Sequence, residues 1–275
     1  MLKNYFKIAI AVLRRRKFFT FISLFGISFT LTILLVLTAF IDKVVGDNYP
    51  DKKRDRCLYI SRISQVGKES TTSSAASFYF LDHYARSLKT PATIAISSYS
   101  SGTNSYVNNK KIAINYKFTN AEYWDVLDYN FLEGKAFNKQ QVSNAERVAV
   151  ISADMKKEYF GDVPAVVGQY IEADNVKYRV IGVVQNVPVT SYMTYSDIYL
   201  PYTVSKDGSY KTNKNYQGGY FGIMLANSPG DADKMHNEYE QMMKRLPPEQ
   251  KQYDHVFSHA STYIKAYVDT GDERH

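Results

Sequence analysis

"LRRRKFFTFISLFGISFTLTILLVLTAFIDK", Leu13 to Lys43, sets the cations Arg14, Arg15, Arg16 and Lys17 against 24 residues, Phe18 to Ile41, that carry no formal charge. A helix of that length rises about 36 Å, enough to cross a hydrocarbon core of about 30 Å with some tilt. A secretory signal has an apolar core of about 7 to 15 residues and then a small-x-small cleavage site. This run is longer and ends in "LTAFIDK", so it reads as an uncleaved anchor with its ends at Phe18 and Ile41.

The chain has 275 residues and a formal net charge of +7. Six of those charges stand ahead of the apolar run, on Lys3, Lys7, Arg14, Arg15, Arg16 and Lys17, with no acid to offset them. A nucleic-acid binder carries its cations on a folded face or groove, where they replace counterions at phosphates. These cations sit against a membrane-length segment instead and follow the positive-inside pattern, which argues against nucleic acid as a partner and places the N-terminus in the cytoplasm. Beyond the run Asp42, Lys43 and Asp47 nearly cancel, and residues 42–275 are expected to face the periplasm or exterior. Leu2, Phe6, Ile10 and Leu13 can share one helical face, with Lys3, Lys7 and Arg14 on another. Residues 1–17 are therefore expected to form an amphipathic segment at the inner interface, where it rests in headgroups or meets a cytoplasmic partner.

A single cysteine, Cys57, excludes an intramolecular disulfide framework, so the outer domain must be held by core packing. "DKVVGDNYPDKKRDRC", residues 42–57, is polar and reads as a stalk or the end of the membrane helix extended into water. Alternation makes "LYISRIS" from Leu58 a strand, and strands are expected at Thr93–Tyr99 and Lys111–Thr119. "STTSSAAS" (70–77) and "SSGTNSYVNN" (100–109) read as loops, and "FYFLDHYARSL" from Phe78 as a helix. Thr119 and Glu122 have capping-box spacing ahead of "YWDVLDYNF". "RVAVIS" hands over at Ser152 to a helix that Gly161 stops. "QYIEADNVKYRVIGVV" reads as two strands about a turn at Asp174-Asn175. "DIYLPY" and "YFGIMLA" are strands on either side of the loop Lys206–Gly219; Ser228 opens a helix running to about Arg245. Strands alternating with short helices give an α+β class with mixed sheets, and residues 116–218 are expected as an inserted subdomain.

"FTNAEYWDVLDYNFLEGKAFNKQQ" from Phe118, followed by "RVAVISADMKKEYFGDVPAVVGQYIEADNVKYRVIGVVQNVP" from Arg147, resembles the extracytoplasmic core domain of MacB-like permeases, which belong with the FtsX-like permeases of ABC transporters. The shared features are an aromatic helix running into "LEGKAF", a strand-helix run ending in "YFG", the phrase "AVVGQYI" and the hairpin ending in "YRVIGVV". The resemblance implies a permease subunit of the cytoplasmic (inner) membrane. It implies as partners a cytoplasmic ABC ATPase subunit, a second permease copy forming a dimer, an extracytoplasmic accessory protein or cargo, and the bilayer. ATP-driven closure would pull on the membrane helices and rearrange the outer domains. No G-x-x-x-x-G-K-[ST] phosphate loop occurs, so nucleotide chemistry is expected on a partner. No later apolar run matches the family's three further membrane helices, so a truncated permease is expected.

Catalytic sets are not evident, and neither cofactor nor metal is expected. His255 and His259 would lie about 13 Å apart in an extended segment, too far to share an ion. His83 lacks an identified partner, the carboxylates of "DADKMHNEYE" read as a solvated helix face, and no Gly-x-Ser-x-Gly or Cys-His pattern supports hydrolysis. The rival reading is a single-pass, membrane-anchored sensor or binding module without ATP coupling; an anchored enzyme is a third.

Overall fold

The computed structural model describes residues 4, 5, 7, 11, 14–45, 49–107 and 109–266. The chain forms two compact units, Met1–Gly46 and Asp47–His275. In the first, the charge-free run lies inside one helix, α1 (Lys17–Val45). The hydroxyls of Thr30, Thr32 and Thr38 donate to the carbonyls of Gly26, Ser28 and Leu34 at 2.7–2.8 Å, so these polar side chains are satisfied within the helix. That is what a low-dielectric surrounding demands of them. Phe21, Phe25 and Phe29 stack along one stripe at 6.1 and 6.0 Å. The stretch Lys17–Asp42 is long and apolar enough to cross a membrane. The apolar face expected from Leu2, Phe6, Ile10 and Leu13 lies outside the described residues.

The second unit is built on one mixed sheet of 13 strands, with helices packed on its faces. Its strands are β1 (Cys57–Val66), β2 (Thr71–Ala76), β3 (Pro91–Ser98), β4 (Ser101–Val107), β5 (Lys110–Thr119), β6 (Phe131–Gly134), β7 (Val148–Ser152), β8 (Tyr170–Ala173), β9 (Val176–Val184), β10 (Ile198–Pro201), β11 (Gln217–Gly218), β12 (Tyr220–Ala226) and β13 (His255–Ser261). The order is β11-β2-β1-β12-β3-β5-β10-β7-β9-β6, with β13 on β1, β4 on β5 and β8 on β9. Two pairs, β10–β5 and β7–β9, are parallel; the others are antiparallel. The intervening helices are α2 (Phe78–His83), α3 (Tyr123–Val126), α4 (Lys139–Ser143), α5 (Ala153–Phe160), α6 (Ser209–Thr212) and α7 (Ala232–Lys244).

Apolar side chains form three clusters. One joins β1, β3 and β12 to α2 and α7 through Phe80, Leu81, Met235 and Tyr239. A second joins β5, β7, β9 and β10 to α5 through Met155. A third, with Tyr59, Tyr123, Tyr199 and Phe221, contains residues from both ends of the sheet. Between these ends, β3 and β5 share a single backbone pair, Ser97↔Thr119. Past that pair the Asn120 amide donates to the Ile96 carbonyl at 3.0 Å, and side chains add to the junction: Asn120 Oδ1 accepts from the Ile96 amide at 3.0 Å, and Ser98 Oγ accepts from the Phe118 amide at 2.9 Å.

Several local expectations need correction. Residues 71–76 and 101–107 are strands, because their backbones pair with β1 and β5 although their mostly exposed hydroxyl side chains show no apolar period. The Thr119–Glu122 capping box does not form. Thr119 ends β5 with its hydroxyl buried and lacking a hydrogen-bond partner among the described residues, while Glu122 pairs with Arg86 and Lys139, each at 3.3 Å. Ser228 makes no cap; its hydroxyl donates to Asp231 at 2.7 Å. By contrast, Ser152 accepts from the Met155 amide, Gly161 ends α5 with φ +79°, and Asp174 and Asn175 turn the β8–β9 hairpin with φ +50° and +57°.

Candidate functional site

The polar stretch expected to be a stalk is, from Tyr49 to Arg56, packed into the outer domain. Tyr49 OH donates to the Gln185 carbonyl at 3.0 Å and accepts from the Asn130 amide at 3.2 Å. The Asp128 amide donates to the Pro50 carbonyl at 2.8 Å. Lys53 reaches the Asp125 carbonyl at 3.0 Å and the Asp128 carboxylate at 2.8 Å. The first described residues of the domain are thus fastened to the loop after α3.

Behind them lies a buried ionic knot. Asp51 is 1% exposed; Arg54 Nε lies 3.0 Å from its Oδ2, and Tyr59 OH donates to the same oxygen. The Arg54 guanidinium sits 3.5 Å over the ring of Tyr263, which packs edge-on against Tyr59 at 5.4 Å. The Ala266 carbonyl accepts from Tyr192 OH at 3.5 Å. The opening and the last described segments of the domain therefore meet through one carboxylate, one guanidinium and two tyrosines. Burial first, and then the Asp51 carboxylate, drive the Tyr59 phenol well above its ordinary pKa, so Tyr59 remains a donor. The same two causes raise the Cys57 thiol, which stays protonated and inert.

Against the knot stands an aromatic nest. The rings of Tyr123, Tyr129, Phe131, Phe137 and Tyr199 lie 5.1–5.5 Å from that of Trp124, the one tryptophan. The Thr194 carbonyl accepts from Tyr129 at 2.8 Å and Tyr199 at 2.9 Å. Tyr49 touches Tyr129 edge-on at 6.0 Å, which connects the nest to the entry segment. Buried nearby, Lys117 donates to the Met193 carbonyl at 2.7 Å, and desolvation pushes its pKa down to about 7.

None of Asp51, Arg54, Tyr263 or Lys117 was marked by sequence reasoning. A lysine in a strand carries no local sign of burial, and Tyr263 stands far along the chain from Asp51. Of the anticipated anchor residues, Arg14, Arg15, Arg16 and Lys17 are exposed and precede Phe18, which with Ile41 lies inside α1. Among the histidines, His259 meets Glu240 at 3.0 Å on the extended β13. The "DADKMHNEYE" carboxylates are only partly solvated: Glu238 accepts from the Lys89 and Thr90 amides at 2.7 and 2.9 Å.

The family of the MacB-like periplasmic core domain matches residues 20–241, a stretch that begins inside α1 and takes in most of the outer domain. The chain belongs to this family. The macrolide export ATP-binding/permease protein MacB of Salmonella choleraesuis is 30% identical over 100 residues, covering 36% of this chain and 15% of that relative's length. The chain thus matches only a small part of that longer protein. Two solved structures share the fold. The periplasmic region of MacB from Actinobacillus actinomycetemcomitans has a TM-score of 0.53 at 16% identity, over 82% of this chain and 98% of that one. A domain of a putative permease protein from Porphyromonas gingivalis has a TM-score of 0.57 at 14% identity, over 78% and 92%. This MacB-like domain thus follows an apolar helix in a chain of permease kinship.

Proposed function

We propose that this chain is part of a permease subunit of an ABC-type export or mechanotransmission system, in which the outer domain converts work done by a cytoplasmic ATPase into extracytoplasmic rearrangement. One observation carries the proposal: a single family match runs from inside the apolar helix through most of the domain, which supports reading the two as one functional unit. The names of relatives, which join ATP binding and permease activity in one protein, support the ATPase as partner. In this reading residues 1–17 lie at the cytoplasmic face and 18–41 cross the inner membrane, with Arg14, Arg15, Arg16 and Lys17 fixing the orientation. Residues 42–275 form the periplasmic domain, with 116–218 as its inserted lobe, and the domain meets a second copy and an accessory protein or cargo. The Asp51–Arg54–Tyr263 knot is where load enters, because a buried charge pair resists separation far more than a solvated one does.

The test uses the full chain, isolated from its own cells in mild detergent. An ABC ATPase should co-purify, and adding ATP should change Trp124 fluorescence, since the nest is fastened to the entry segment. Protease added outside intact inner membranes should digest residues 47–275. Protection of that domain, together with a chain that never carries an ATPase, would sink the proposal.

A further inference from the structure

We propose that the cleft at the β3–β5 junction is a binding site for a small neutral saccharide, a mono- or disaccharide. The cleft has a volume of about 520 Å³ and is walled by Ser98–Ser101 where β3 passes into β4, by Tyr116 and Phe118 of β5, and by Ser205–Asp207, Ser209, Asn213 and Gly218–Tyr220. That volume falls within the roughly 300–1,000 Å³ of small-molecule sites. It opens where the ladder between β3 and β5 shrinks to one backbone pair.

The lining selects the ligand class. An anion is disfavoured because the cation of the wall, Lys206, is already engaged: its ammonium lies 2.9 Å from the Asp174 carboxylate and also donates to the Asp174 carbonyl. A purely apolar guest would strand the Ser101 hydroxyl and the acceptor positions of the Asp207 carboxylate that Ser205 and Ser209 leave open, while Ser100 and Ser205 already donate to the Tyr195 carbonyl and to Asp207. Although burial raises the Asp207 pKa, hydrogen bonds from Ser205 and Ser209 outweigh it and keep the carboxyl ionised as an acceptor. A carboxylate has about four acceptor positions, so Asp207 can take a ligand hydroxyl besides its own donors.

A quaternary cation requires ring faces turned toward one point. Here the rings pack on one another: Phe78 stacks on Tyr202 at 4.1 Å, and Tyr116 meets Phe118 edge-on at 5.6 Å. Tyr116 and Phe118, two apart on β5, nevertheless stand on one face of the sheet and give a wall on which the C–H face of a sugar ring can lie. Hydroxyl, carboxylate and ion-pair groups at the rim then meet its hydroxyls. An occupant touching Ser98–Ser101 and Tyr116 bridges both sides of the junction, so binding should raise the unfolding midpoint.

The experiment needs no ATPase, so its outcome is independent of the export reading. The full chain in lipid nanodiscs is titrated with maltose, diacetylchitobiose, choline and inorganic phosphate by saturation-transfer NMR and thermal unfolding. At least one saccharide should give transfer and raise the midpoint. Asp207→Ala should weaken binding about tenfold or more through loss of a charged hydrogen bond. Gly219→Trp should abolish it: Gly219 lines the cleft, a Cβ there meets nothing within 4 Å, and the unliganded unfolding midpoint should stay unchanged. Absence of transfer from both saccharides, binding of choline or phosphate in their place, or saccharide binding undiminished in Gly219→Trp would each overturn the assignment.

Discussion

Replacing Asp51 by alanine tests whether the entry segment is locked into the domain by charge or only by packing. The side chains of Arg54 and Asp51 are 8% and 2% exposed, so the pair falls under the rules for buried ions. Removing the carboxylate leaves a guanidinium with little water around it and takes from Tyr59 OH the acceptor it donates to. Breaking one side of a buried pair costs about 3 to 5 kcal/mol, and a large share of that is the uncompensated partner charge. The cation–π contact of Arg54 with Tyr263 returns only about 0.5 to 2 kcal/mol and is present before and after, so it does not offset the loss. At about 2 to 4 °C per kcal/mol for a domain of this size, the unfolding midpoint should fall by about 6 to 20 °C.

Trp124 supplies the signal, being the one tryptophan and adjacent to the Tyr49 contact through Tyr129. The informative comparison is the cycle of Asp51→Leu, Arg54→Met and the double variant. Each single change leaves one buried charge, whereas the double change leaves none and should recover at least about 2 kcal/mol relative to the sum of the singles. If Asp51→Ala moves the midpoint by less than about 3 °C, or if the cycle is additive, the knot is not a charge lock and the load path assigned to it fails.

Lys117 gives a pH signature. Its pKa is about 7 in the folded domain and 10.5 when unfolded, so between those values the unfolded state binds the extra proton and stability rises with pH. The cost of burying the amine is complete below pH 7 and is relieved above it at up to about 1.4 kcal/mol per pH unit. Chemical denaturation at pH 6.5 and pH 9 should show this rise, and Lys117→Met should flatten it. Gly134→Ala should destabilise more than Gly161→Ala, although both have positive φ: a Cβ at 134 would lie 2.0 Å from the Ile181 carbonyl oxygen, while one at 161 meets nothing within 4 Å. The second change carries only the backbone cost of holding alanine at φ +79°, ψ −164°, a region essentially restricted to glycine, of about 1 to 3 kcal/mol, which urea unfolding can resolve. Converting Arg14, Arg15 and Arg16 to glutamate should reduce the fraction of chains whose domain is open to external protease, by the positive-inside rule. An unchanged fraction would show that the orientation is set elsewhere.

What the sequence disclosed was local chemistry. Asp174-Asn175 announces its turn because those side chains tolerate left-handed backbone, and Ser152 announces a cap because its hydroxyl can take an orphan amide. Charge-free length announces α1. β2 and β4 were hidden because an outlying strand with mostly exposed hydroxyl side chains has no buried face to leave a period-two trace; its identity lies in the backbone groups of its neighbour. The capping box failed because spacing cannot report that Glu122 is drawn off by Arg86 and Lys139. The knot was hidden most deeply: its charges looked like the solvated residues of a linker until Tyr263 closed over them.

The two ends of the sheet are joined unequally, and this bears on how load would travel. At the entry, Tyr49, Lys53 and the Asp51–Arg54 pair hold the chain to several elements at once. At the junction, β3 and β5 have one backbone pair and one further backbone bond, Asn120 to Ile96, reinforced by Asn120 and Ser98 side-chain hydrogen bonds that can be exchanged for water at about 0.5 to 1.5 kcal/mol each. Strain applied through a stiff attachment accumulates at the most compliant connection, so the junction, more than the knot, should give way first. A ligand spanning the cleft would stiffen that connection and reduce the motion produced by a given pull. Amide hydrogen exchange should accordingly be faster at Phe118 and Asn120 than at Tyr59 and Ile60. The reverse ranking would place the flexible point elsewhere and remove the mechanical link between cleft and anchor.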